Sequence, residues 1–183
     1  MLVIFARTLN QKIVLRSFGS FQKPIMPLRE NQSLSQDFID ILSAFIDEKV
    51  EYMLVGGYAL GYHGYSRGTG DIDLWVRRSP ENAERVYQAL KKFGAPLFDV
   101  KVEDFLVPDT IFQIGVPPNR IDVITDIDGV SFDEAWPERK TVISEGLNIT
   151  LIGKQSLLVN KKASGRPKDI PDVIWLEAQT ESE

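Results

Sequence analysis

The stretch YMLVGGYALGYHGYSRGTGDIDLWV, Tyr52 to Val76, carries the reading of this chain. It opens as a short apolar strand, breaks at Gly56 and Gly57, and closes in a second strand that holds Asp71 and Asp73 among apolar residues. Burying an unpaired carboxylate is costly, because desolvation disfavours its charged form. Side chains alternate across a strand, so Asp71, Asp73 and Trp75 are expected on one face and Ile72, Leu74 and Val76 on the other. Residues two apart lie roughly 7 Å apart along a strand, within reach of one divalent ion. The pair therefore points to a metal site.

Further along, RIDVIT repeats the pattern, with Asp122 between Ile121 and Val123. If that strand lies beside the first, three carboxylates converge and a cation is needed to relieve their repulsion. A set of hard oxygen donors without histidine or sulfur favours Mg2+ or Mn2+. Asp122 also has a plainer reading, because Arg120, two residues earlier, offers it a surface partner. The glycine pair offers a junction without side chains at which phosphate can approach backbone N–H groups. A tight strand-to-helix turn would need the same residues.

The rest of the chain bounds these readings. Its 183 residues suit one domain, with 43% hydrophobic and 26% charged residues. No apolar run approaches the length of a membrane span. Cysteine is absent, which rules out disulfides and a cysteine nucleophile and suits a reducing compartment such as the cytoplasm. The single histidine, His63, cannot build a multi-histidine zinc site and reads best as a packed or helix-terminal residue. A net charge of -5 argues against a long basic face for nucleic acid.

Residues 1–29 are rich in basic residues and contain no acid, so they are expected to form an extension outside the fold, with Met26 an alternative start. Residues 30–178 are expected to form the domain and 179–183 a tail. Within the domain, SLSQDFIDILSAFIDEKV and RSPENAERVYQALKKFG read as capped helices. TIFQIGVPPNRIDVIT reads as two strands joined at a Pro-Pro-Asn turn, and KTVISEGLNITLIG as a hairpin turning near Glu145 and Gly146. KQSLLVNKKASG and PKDIPDVIWLEA form a closing helical pair.

Taken together, Gly56-Gly57, the run Arg67-x-Thr69-x-Asp71-x-Asp73, Asp122 on a later strand and the closing LLVNKKASGRPKDIPDV resemble the DNA polymerase beta-like nucleotidyltransferase superfamily. The likeness is to its small bacterial and archaeal members of the abortive-infection and toxin-antitoxin type, and spans residues 35 to 176. It implies an α/β (α+β) fold, a mixed sheet flanked by helices with the C-terminal helices closing the site. It implies transfer of a nucleoside monophosphate from a triphosphate such as ATP to an acceptor hydroxyl: an RNA 3′ end (tRNA among them), a protein, or a small molecule. A cognate toxin or antitoxin protein is an implied partner.

By position, the resemblance makes Asp71, Asp73 and Asp122 the ligands of two magnesium or manganese ions, with Asp122 helping to activate the attacking hydroxyl. Gly56 and Gly57 would cradle phosphates; many superfamily members carry serine at the second of these. Arg67 and Thr69 match the Arg-x-Thr element, Lys161 or its neighbour Lys162 matches the nucleotide-contacting lysine, and Asp169 matches an acidic position in the closing motif. Lys154, Lys161, Lys162, Arg166 and Lys168 would then present a positive wall to the triphosphate. Two other classes share the features: a non-catalytic antitoxin or interaction protein, and a nucleotide sensor without turnover.

Overall fold

The computed structural model of the chain describes residues 4–8, 11–12, 34–65 and 68–180. Helix α1 (Gln36–Asp47) begins where the Ser35 side chain accepts a hydrogen bond from the Phe38 N–H, and it buries Phe38, Ile41, Leu42 and Phe45 on one stripe. Strand β3 (Tyr52–Val55) is buried throughout and runs into the short helix α2 (Gly56–Tyr62). Strand β4 (Asp71–Val76) follows. Helix α3 (Pro80–Phe93) has its Ser79 cap, Pro80 in the first turn and Gly94 at a left-handed φ of 86°.

Strands β5 (Thr110–Ile114) and β6 (Arg120–Ile124) form the expected antiparallel pair. Strands β7 (Lys140–Ser144) and β8 (Leu147–Leu151) form the expected hairpin. The short helix α4 (Phe132–Ala135), held by a reciprocal Ser131–Glu134 capping box, lies in a stretch to which the sequence reading gave no element. Helices α5 (Lys154–Ser164) and α6 (Ile170–Thr180) close the chain across Gly165.

Strands β3 to β8 make a mixed sheet in the order β5-β6-β4-β3-β8-β7, parallel at β6-β4 and β3-β8 and antiparallel elsewhere. The segment 1–29, expected outside the fold, is described only at β1 (Ile4–Thr8) and β2 (Gln11–Lys12). There β1 pairs antiparallel with β5 and β2 with β1, so these positions add an edge ribbon to the sheet. Backbone groups alone make such a ladder, and five residues are too few for a period to announce it. Among the described residues the sheet thus has eight strands.

The period-2 pattern sorts the two faces. Leu54, Ile72, Leu74, Ile121 and Val123 pack beneath α1 and α3. Met53, Val55 and Trp75 pack with Leu157, Leu158 and Leu176 of the closing helices. Asp71, Asp73 and Asp122 belong to this second face, at the end of the β4–β6 pair where the aliphatic packing stops. Among the described residues no helix is long and apolar enough to cross a membrane.

Candidate functional site

Two neighbouring strands build the patch. The parallel register of β4 and β6 sets Asp73 beside Asp122 and Asp71 beside Arg120. Trp75 anchors the same face of β4: its side chain is buried and its indole N–H donates to the Thr125 carbonyl at 3.3 Å. The three carboxylates predicted from alternation therefore share one face of adjacent strands. Thr69 enters from the loop before β4, its hydroxyl donating to the Asp71 carbonyl at 3.2 Å. Arg67 lies outside the described residues.

A fourth side chain organises the patch. The Arg120 guanidinium approaches Asp71 Oδ2 at 2.7 Å and donates to both oxygens of Asp122, from Nε at 2.8 Å and Nη2 at 2.9 Å. The surface partner foreseen for Asp122 is thus in place, and it also grips Asp71. Gln113, opposite Asp122 on β5, donates to the same carboxylate at 3.3 and 3.4 Å. Gln113 escaped the sequence reading, although counting back across the Pro-Pro-Asn turn would have found it.

The electrostatics follow from these contacts. Burial, with the neighbouring charges of Asp122 and Asp71, pushes the Asp73 carboxyl up to about 7, against the pull of Lys161 and Arg120. Burial raises Asp122 as well, opposed by the hydrogen bonds and charge of Arg120 and by Gln113. Burial would lower Arg120, but the hydrogen bonds and charge of Asp122 and the charges of Asp71 and Asp73 raise it.

The glycine pair has a packing reason. Gly56 has a φ of 66°, and a Cβ there would stand 2.0 Å from Asp73 Oδ2. A Cβ on Gly57 would stand 2.8 Å from Cβ of Thr69. The room that the glycines leave is filled by Asp73 and Thr69, and this close approach explains both positions without a ligand. His63, at the end of α2, places Nε2 2.7 Å from the Ile152 carbonyl, in keeping with a helix-terminal role.

The expected positive wall takes another form. Lys161 is buried rather than exposed, its ammonium held 2.8 Å from Asp169 Oδ1 and 3.0 Å from Asp172 Oδ2. Ser164 and Arg166 donate to Asp169 Oδ2 at 3.1 and 2.5 Å. Lys162 pairs with Glu177 at 2.7 Å. Lys161 needs its two acids because an unpaired ammonium cannot be buried cheaply, whereas Lys162 and Arg166 pair at the surface. Lys161 still bears on the site, since its charge is among those felt by Asp73. Asp172, absent from the sequence reading, was signalled by its spacing of three from Asp169 at the start of a helix.

The donor types at Asp71 and Asp73 suit a hard cation, and Asp71 Oδ1 is buried without a hydrogen-bond partner, an orphaned acceptor that an ion would satisfy. Among the described residues, however, no group of three or more His, Cys, Asp or Glu side chains is disposed as it stands to hold a metal ion. Two of the three carboxylates are gripped by Arg120.

A family model described as "nucleotidyltransferase of unknown function" (DUF6036) matches residues 34–179. The chain belongs to this nucleotidyltransferase family. The match takes in α1 through nearly all of α6 and every described residue of the acidic patch. No curated protein matches the chain. Among solved structures, a candidate nucleotidyltransferase from Thermotoga maritima is similar at 14% identity, with a TM-score of 0.49 over 80% of this chain and 91% of that one. A likeness this distant says nothing of substrate or mechanism.

Proposed function

We propose that the chain is a metal-dependent transferase that moves a nucleoside monophosphate from a nucleoside triphosphate to an acceptor hydroxyl, releasing pyrophosphate. The observation that carries this reading is the register of β4 and β6, which sets Asp73 beside Asp122 with Asp71 two residues away on the same face. Membership of a nucleotidyltransferase family supports the same chemistry.

Asp71 and Asp73 would hold the ion that accompanies the triphosphate, and Asp122 would complete a second ion's site and orient the attacking hydroxyl. Magnesium or manganese, when bound, would neutralise the phosphates and stabilise the attacking and leaving oxygens of an in-line displacement. Thr69, with the backbone of Gly56 and Gly57 beside it, would line the approach of the phosphates. Lys161, held by Asp169 and Asp172, would act by fixing the closing helices and by its charge at Asp73. The acceptor classes are an RNA 3′ end or a protein hydroxyl, in keeping with a role in a toxin-antitoxin or defence system in the cytoplasm.

One observation favours a second reading, a nucleotide-binding protein without turnover: both oxygens of Asp122 accept from Arg120. A single experiment separates the two. The protein is incubated with each radiolabelled nucleoside triphosphate, Mg2+ and total cellular RNA or lysate, beside an Asp73→Asn control. Covalent transfer of label that the control lacks supports the enzyme, and label bound but never transferred supports the second reading. Failure to bind any triphosphate would sink both.

A further inference from the structure

We propose that Arg120 is a resident cation that competes with divalent metal for Asp71 and Asp122, so that metal binds tightly only when a phosphate-bearing ligand draws the guanidinium away. This rests on the reading of Asp71 and Asp73 as a metal site.

Three observations meet here. Arg120 makes charge-assisted contacts of 2.7 to 2.9 Å with two different carboxylates, one on its own strand and one on the neighbour. Asp71 offers it Oδ2 while Oδ1 remains buried and unpartnered, so the grip leaves part of the site's capacity unused. The guanidinium never releases its proton at working pH, so a divalent ion must either displace it or accept a crowded positive neighbour.

Displacement is cheap in backbone terms. Strand β6 is paired on both sides, with β4 and β5, so it stays in place while the side chain rotates. The Arg120 side chain is 27% exposed, which gives it an open side toward which to turn. What it loses are hydrogen bonds to carboxylates, and a planar fork of N–H donors recovers equivalent bonds from phosphate oxygens. The same exchange lowers the repulsion between the incoming anion and the acidic patch. Metal and triphosphate then assist each other, and by linkage the assistance is reciprocal.

A plain structural staple would use the same contacts, so the test must read metal rather than stability. Mn2+ binding is measured by electron paramagnetic resonance on the folded protein alone, then with inorganic triphosphate at fixed free Mn2+, for the parent, Arg120→Gln and Arg120→Lys. Without triphosphate, Arg120→Gln should bind Mn2+ at least about tenfold more tightly than the parent. Triphosphate should tighten Mn2+ binding in the parent by a larger factor than in this variant. Should Arg120→Gln fail to fold, Arg120→Lys decides, since an ammonium is a compact point charge without the planar fork that grips both carboxylates. It should bind Mn2+ at least about threefold more tightly than the parent. Affinity in the folded variant equal to or below the parent's would overturn the proposal while leaving the metal site standing. Parent and variants that all ignore Mn2+, with and without triphosphate, would overturn the metal site and this inference with it.

Discussion

At the scale of single residues, Asp73 is the sharpest probe of the patch. Its carboxyl is pushed from 3.8 to about 7 by burial and by Asp122 and Asp71. A raised folded value means that the native state keeps a proton that the unfolded chain has given up, so metal-free stability should fall as pH rises from about 4 to about 7. Asp73→Asn removes the titration. Its metal-free melting temperature should equal or exceed the parent's at pH 8, with a flatter dependence below that. It should also lose the added stability that Mg2+ plus triphosphate gives the parent, because a ligand stabilises only in proportion to its binding to the native state. Melting curves with and without ligand check this, and a clear metal-free drop with ligand stabilisation retained would make Asp73 structural. Asp71, Asp73 and Asp122 were legible in the sequence because a period of two is a local property. The second hand of Arg120, on Asp71, was not, because it depends on which strands become neighbours.

The elements themselves were mostly legible from their ends. Ser35, Ser79 and Gly94 cap as the sequence suggests, and the β7–β8 turn falls at Glu145 and Gly146, both with positive φ. Helix α4 escaped because four residues are too short to show a period. Near the C-terminus the sequence named Lys161 and Asp169 but not their surroundings, since Lys161 on α5 and Asp169 in the turn just before α6 both point inward. Lys161→Ala would leave Asp169 and Asp172 buried without their shared cation, at a cost of about 3–5 kcal/mol in chemical denaturation at neutral pH. Lys154→Ala, at the first position of α5, should cost less than about 1 kcal/mol. Burial would raise Asp169, but the Lys161 and Arg166 hydrogen bonds outweigh it and hold the carboxyl down at about 2. The stability gained from this pairing is therefore present above 3.8 and lost as pH falls through about 2. Relative to the parent, the alanine variant's deficit should shrink as pH falls through that window, because the parent loses this contribution as Asp169 takes up a proton. A deficit independent of pH would mean that lost packing, not the buried charge, dominates.

For the whole molecule, the family match over residues 34–179 contains both packed faces of the sheet and every described residue of the acidic patch. A chain lacking residues 1–33 should therefore still melt cooperatively. It also bares the side of β5 that β1 covers, and an open strand edge is a template for another chain. Light scattering should thus find more association in the truncated protein than in the full chain, and loss of the cooperative melt would move the domain boundary toward the N-terminus. The central pairing of β4 with β6 has a further consequence, in time rather than in space. Trp75 and Thr125, joined across that pair, are fifty residues apart, and His63 meets Ile152 across eighty-nine. Contacts this distant demand that loops close before any ladder rewards them, which slows folding relative to a helical bundle of similar length. On the ribosome, Asp71 and Asp73 emerge well before the strand that carries Asp122 and its arginine. The acidic patch is thus completed only when β6 has emerged, and a chain halted before that strand carries two of its carboxylates without the cation that tames them.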